Sequence, residues 1–165
     1  MKSRIPVVSV VGRSNVGKTT IIVKLVRELK TRGCKVATVK HSHHSLELDT
    51  EGKDSWLHTR AGADAVVVSS QNMLGVMRAS PAEKPLLEIV DSYLRDMDVV
   101  IAEGYKTEPV PKIEVFRTAI SSDLVCRDDN NLIAVIGDKE PHVSVPFFHI
   151  DGQVSSIVDF LLTLK

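Results

Sequence analysis

The chain has 165 residues, 43% of them apolar, and its 21 basic residues balance 21 acidic ones to a formal net charge of zero. That length fits a single domain with one packed core. The charge balance argues against broad binding to nucleic acid or an acidic membrane, since both reward a basic excess.

The opening residues, Met1-Lys2-Ser3-Arg4-Ile5-Pro6, lack the apolar core and small-residue cleavage site of a signal peptide. Apolar runs are all too short to span a bilayer. The β-branched run Val7–Val11 then reads as a strand. A helical pattern follows, with Ile21, Ile22, Leu25, Val26 and Leu29 on one face and Gly33 as its stop. Residues 35–40 read as a second strand, and strand, helix and strand form a βαβ unit with parallel strands. Cys34 and Cys126 are far apart and form no C-x-x-C, which reads as reduced thiols in a cytosolic protein.

Residues 41–55 are polar and aperiodic, and a loop of that length inside a compact domain is usually functional or mobile. Asp54 or Ser55 is placed to cap a short helix running to Arg60, with Trp56 and Leu57 as core anchors. A buried strand over 65–68 and a weaker one over 73–77 suggest a hairpin turning at Gln71-Asn72. Pro81-Ala82-Glu83 opens a helix carrying Leu86, Leu87, Ile89, Val90, Tyr93 and Leu94. Residues 99–102 form a buried strand, 112–117 an alternating one, and 132–136 the last strong one, before a closing amphipathic helix over 154–164. Alternating strands and helices indicate a three-layer α/β fold of the P-loop NTPase kind, with a mostly parallel β-sheet, in one domain over residues 1–165.

The segment Gly12-Arg13-Ser14-Asn15-Val16-Gly17-Lys18-Thr19 matches a complete phosphate-binding loop in the strand–loop–helix context it needs. Its glycines allow a tight turn whose N–H groups point at phosphate oxygens. Lys18 reaches the β- and γ-phosphates, Thr19 ligates Mg²⁺, and the following helix adds its positive end. The metal needs a second ligand, and Asp98 and Glu103 bracket the strand at 99–102, roughly 16 Å apart at about 3.3 Å per residue. Ligands in open α/β sheets bind beyond the carboxyl ends of the strands, which selects Glu103 and leaves Asp98 at the wrong end. Lys106 is a further phosphate candidate.

The loop after the second strand also leaves a carboxyl end, which makes Asp49 and Asp54 candidate water-positioning acids. His41, His43 and His44 form a cluster, but zinc wants four placed ligands and Cys is absent there. Contact with phosphate or a partner is the better functional role for them, and ordinary loop histidines the plain one. The guanine signature Asn-Lys-x-Asp is missing. Asp138, just past the last strong strand, is instead placed to accept hydrogen bonds from guanine N1 and N2, with a plain Gly-Asp turn as the simpler reading.

These segments together resemble the MobB family of molybdopterin-guanine dinucleotide biosynthesis adaptor proteins. The resemblance rests on the phosphate loop, Lys40-His41-Ser42-His43-His44, Asp49, Gly52-Lys53-Asp54-Ser55-Trp56, Arg60-Ala61-Gly62-Ala63, Glu103-Gly104-Tyr105-Lys106, Pro111-Lys112-Ile113-Glu114-Val115 and Ala134-Val135-Ile136-Gly137-Asp138. It implies a cytosolic, dimeric, GTP-binding protein with weak GTPase activity, working beside the guanylyltransferase that attaches GMP to molybdopterin. Molybdopterin itself is a candidate ligand. The family's nucleotide residues carry over to Gly12, Ser14, Asn15, Gly17, Lys18, Thr19 and Thr20, with Glu103 as the Mg²⁺ partner. Arg13 and Val16 complete the loop, and Arg13 stands where one branch of P-loop proteins has a lysine that reaches across a dimer. Asn15 stands where many relatives have glycine. A small-molecule kinase and a nucleotide-dependent interaction module are the competing functions. The kinase is disfavoured because Arg60, Arg78 and Arg117 are scattered without a lid pattern.

Overall fold

The computed structural model describes residues 5–42 and 49–164. The expectations for His43 and His44 lie outside them. The elements are β1 Val7–Val11, α1 Lys18–Thr31, β2 Val36–Lys40, α2 Asp54–Arg60, β3 Ala65–Ser69, β4 Leu74–Arg78, α3 Leu86–Tyr93, β5 Val99–Glu103, β6 Lys112–Phe116, β7 Leu132–Gly137, β8 Phe147–His149 and α4 Val154–Leu162. They fall into two compact units, the smaller formed by residues 42–84 and the larger by the rest.

The larger unit is a six-stranded sheet in the order β2-β5-β1-β6-β7-β8, with every neighbouring pair parallel. Strand alternation sorts its side chains onto two faces. Val8, Val10, Val99, Ile101, Ile113 and Val115 pack with Ile21, Leu25 and Leu29 of α1 and with Ile157 and Val158 of α4. On the other face Val100 and Ala102 pack with Leu86 and Val90 of α3. Central strands covered on both sides read as continuous β-branched runs, as β1 and β5 do. At the far end of α1, Gly33 takes φ 78°, and the Gly33 and Cys34 N–H groups donate to the Lys30 and Leu29 carbonyls. That closes the helix where the sequence placed its stop.

Three local readings need correction. The alternation in β6 suggested one solvated face, yet all five of its residues are buried. Lys112 is covered because its ammonium pairs with Asp129 at 2.8 Å and donates to the Glu108 carbonyl. Glu114 is covered because it accepts the Val125 and Cys126 N–H groups at 2.6 and 2.8 Å. Burial raises the Glu114 pKa, and those two N–H bonds oppose the rise. The second correction concerns α3, which starts at Leu86 behind Pro85 and not at 81–83. The third is β8, an edge strand of three residues, too short to show periodicity.

The smaller unit holds α2 and an antiparallel pair, β3 and β4, in the register Val67↔Val76. The hairpin is as expected, but its burial is not: Val66 alone in β3 is buried. Val67, Leu74 and Val76 share one face of the pair and are more than half exposed. Asp54 begins α2 instead of capping it; Lys53 is at the cap and makes no side-chain hydrogen bond there. Leu57 is half exposed, and Trp56 lies under the Arg60 guanidinium at 5.0 Å, so neither is a buried anchor.

Candidate functional site

Parallel pairing puts the carboxyl ends of all six strands on one edge of the sheet, and the expected nucleotide residues lie along it. Lys40 and Glu103 end β2 and β5, and Gly12, Arg117 and Asp138 directly follow β1, β6 and β7. In register, Val10 and Lys40 both pair with Glu103 from opposite sides. The phosphate loop and the acid therefore come from adjacent strands.

The loop's backbone explains its residues. Gly12 adopts φ 137°, and a Cβ there would stand 2.4 Å from the Val115 carbonyl oxygen, so glycine is required. Asn15 adopts φ 61°. Asparagine tolerates this left-handed region better than other side-chain-bearing residues, so the loop keeps its shape without a glycine at that position. Gly17, at φ 101°, leads into α1, which has no side-chain cap and no acid in its first turn. Its first N–H groups are thus left for an anion. Val16 is buried, while Arg13, Ser14, Asn15, Thr19 and Thr20 are exposed.

Lys18 folds back onto its own loop. It is half buried, and its ammonium donates to the Gly12 and Arg13 carbonyls at 3.2 and 2.8 Å. Burial lowers its pKa; the Glu103 charge raises it, and the Lys106 and Lys40 charges lower it further. The ammonium occupies the cradle's own acceptors, from which a phosphate would draw it. The Thr19 hydroxyl lies 3.4 Å from both oxygens of Glu103. This pair suits Mg²⁺, which takes one or two protein oxygens and completes its shell with phosphate and water. Among the described residues no cluster of three or more His, Cys, Asp or Glu is arranged to hold a metal.

If Glu103 holds Mg²⁺, Glu103→Gln should weaken Mg²⁺-triphosphate binding by about ten-fold and leave binding in excess chelator unchanged, because a hard cation prefers the charged oxygen. Calorimetry under both conditions reads this. An equal loss in the two would remove Glu103 from the metal site.

The edge brings Lys40, Tyr105, Arg117 and Thr118 to the residues already named. Lys40 lies 3.9 Å from Glu103, and Lys106 is near enough for its charge to act on Lys18. His41 stacks obliquely on Tyr105 at 5.1 Å between centroids, and its N–H donates to the Glu103 carbonyl. Arg117 donates to the Val16 carbonyl, and Arg13 to the Ser121 hydroxyl. Asp138 accepts the Thr118 N–H at 3.0 Å and the Thr118 hydroxyl at 3.0 Å, and the N–H bond lowers its pKa. The carboxyl-end rule that selected Glu103 also places Lys40 and Arg117 on this edge, although it does not say which residue each of them meets. Asp98, rejected on that rule, accepts the Lys35 N–H at the opposite edge.

Asp49 and Asp54 belong to the smaller unit. Asp49 accepts the Thr50 N–H with one oxygen, and its other oxygen is buried without a hydrogen bond among the described residues. Asp54 lines a cavity of about 520 Å³ with Lys53, Ser55, His58 and residues 66–69.

A phosphate loop at the switch point of a parallel sheet, with Thr19 facing an acid on the next strand, defines a P-loop nucleotide-binding α/β protein. Residues 7–138 match the model of the family described as molybdopterin guanine dinucleotide synthesis protein B, MobB, and the chain belongs to that family. It is 33% identical over 162 residues to the molybdopterin-guanine dinucleotide biosynthesis adapter protein of Haemophilus influenzae, covering 98% of this chain and 90% of that one. It is also 33% identical to the Escherichia coli protein of the same name, covering 98% and 94%. Among solved structures, a molybdopterin-guanine biosynthesis protein B superposes with a TM-score of 0.78 at 31% identity, covering 96% of this chain and 97% of that one. Bacillus subtilis MobB superposes with a TM-score of 0.76 at 30% identity, covering 96% of each. The described residues contain no helix long and apolar enough to cross a membrane.

Proposed function

We propose that this chain is a cytosolic GTP-dependent adaptor of molybdopterin-guanine dinucleotide synthesis, acting beside the guanylyltransferase that joins GMP to molybdopterin. The observation that carries the proposal is the approach of Thr19 to Glu103 beside Lys18, which supplies a Mg²⁺-triphosphate with its hydroxyl, its acid and its ammonium. Asp138 reads the guanine. Unassisted P-loop hydrolysis runs on the order of 10⁻⁴–10⁻² per second, a rate that suits a switch or delivery step. In this reading Asp49 and Asp54 are the water-positioning acids.

A homodimer is part of the proposal. An isolated two-stranded hairpin is marginal in water, and the face carrying Val67, Leu74 and Val76 favours a covering surface. A second copy brings the same apolar face in a self-complementary arrangement.

Reconstituted guanylylation of molybdopterin, with purified guanylyltransferase and GTP, tests the function. Adding this protein should raise the yield at limiting GTP, and light scattering on the same sample should give twice the chain mass. An unchanged yield and unchanged GTP requirement would end the adaptor reading, and a single-chain mass would end the dimer.

A further inference from the structure

The phosphate loop is held from outside by a residue that the motif does not contain. Arg117, the first residue after β6, is half buried, and its Nε–H donates to the Val16 carbonyl at 3.2 Å. No backbone N–H takes that carbonyl among the described residues, since the first helical bond goes from Ile21 to Gly17. The Val16 carbonyl and the Gly17 N–H belong to one planar peptide unit, and in a trans peptide they point in opposite directions. A donor that holds the carbonyl therefore also fixes the direction of the Gly17 N–H, on the opposite side of the peptide. A guanidinium is well suited to this, because it stays charged and polarises the amide whose N–H it aims. A Cβ on Gly17 would come to 4.0 Å from the same Nε, so the guanidinium lies beside Gly17 as well.

β6 places Arg117 there. Glu114 pairs in register with Val11, and Val115 closes on Gly12 from beneath. The chain then leaves the strand level with the loop. The next residue, Thr118, holds Asp138. One dipeptide thus touches both the phosphate loop and the proposed base reader.

We propose that Arg117 is a positioning residue for the nucleotide, bracing the Val16–Gly17 peptide so that the Gly17 N–H meets the β-phosphate. The proposal rests on the reading of residues 12–19 as a triphosphate site. Because the brace acts on phosphate, its loss should weaken GTP and ATP alike, unlike a change at the base reader.

The test compares wild type with Arg117→Met, which keeps the aliphatic stem, and Arg117→Lys, which keeps a charge. Affinities for Mg²⁺-GTP and Mg²⁺-ATP are measured by calorimetry, and the Gly17 amide resonance is followed by ¹H–¹⁵N NMR. Arg117→Met should lose about ten-fold for both nucleotides, the scale of one hydrogen bond to a charged group. It should also shift the free-state Gly17 amide and blunt its move on nucleotide addition. Arg117→Lys should regain part of both. Wild-type affinities with an unmoved Gly17 amide in Arg117→Met would overturn the brace and leave the phosphate site standing. Absence of triphosphate binding in the wild type would instead overturn the phosphate-site reading, and the brace with it. A collapsed spectrum in both variants would show a purely structural arginine and also overturn the proposal.

Discussion

Lys18→Ala should lower affinity for Mg²⁺-GTP at least about 100-fold while the protein stays folded. In the free protein the ammonium is shared between the Gly12 and Arg13 carbonyls at the rim of the loop. Water can replace it at such half-exposed acceptors, so the loss of stability should be about 1 kcal/mol or less. In the proposed complex the same ammonium would face two phosphates in a cradle otherwise built from neutral amides. Charge-assisted hydrogen bonds contribute about 1.5–3 kcal/mol each, and two of them amount to roughly two or more decades in affinity. Burial is the chief cause of the lowered pKa of Lys18 and brings the loss of its charge to lower pH than for a free lysine. Raising the pH should discharge Lys18 earlier than a free lysine and so weaken Mg²⁺-ATP binding, whose base does not ionise there, in the wild type but not in the alanine variant. Calorimetry across pH with a melting curve at each point reads both effects. Wild-type affinity in Lys18→Ala would remove residues 12–19 as a triphosphate site.

Asp138→Asn should reduce the preference for GTP over ATP by roughly 10- to 100-fold with little change in ATP affinity. A carboxylate can accept from both N1 and N2 of guanine, and adenine offers no matching pair of donors. Sites built to satisfy such groups reject ligands that leave them unpaired. The Thr118 N–H and hydroxyl already orient the carboxylate and keep it ionised, since the N–H bond lowers its pKa. Asparagine offers one acceptor oxygen and turns an NH₂ toward one of these donors. Competition of GTP against ATP in both proteins measures the ratio. An unchanged ratio would move base recognition to another residue.

The two units differ in how far local pattern foretold them. In the larger one, β1, α1, β5 and β7 were legible because both faces of the sheet are covered and central strands then carry uninterrupted apolar runs. β6 misled for the same reason inverted. Its charged residues mimic a solvated face, although long-range partners at Asp129, Val125 and Cys126 neutralise their burial. In the smaller unit apolar strands were taken as buried, yet Val67, Leu74 and Val76 stay open to solvent. β-Branched residues raise strand propensity whether or not anything packs on them.

The order of residues along the chain determined the phosphate loop, its strand–loop–helix context and the choice of Glu103 over Asp98. Each follows from spacing within a few residues and from the rule on strand ends. Glycine at position 12 and asparagine at position 15 belong to the same local level, because backbone sterics decide which residues accept φ 137° and φ 61°. Only the tertiary structure decided which distant residues meet that loop. Arg117 reaches the loop at Val16, Lys40 reaches Glu103, and Thr118 holds Asp138, because parallel pairing brings carboxyl ends from β2, β5, β6 and β7 to one edge. Such contacts span up to about a hundred residues, as between Val16 and Arg117. The local dihedral preferences of one segment carry no record of a partner that far away. The strand order and register of the folded sheet supply it.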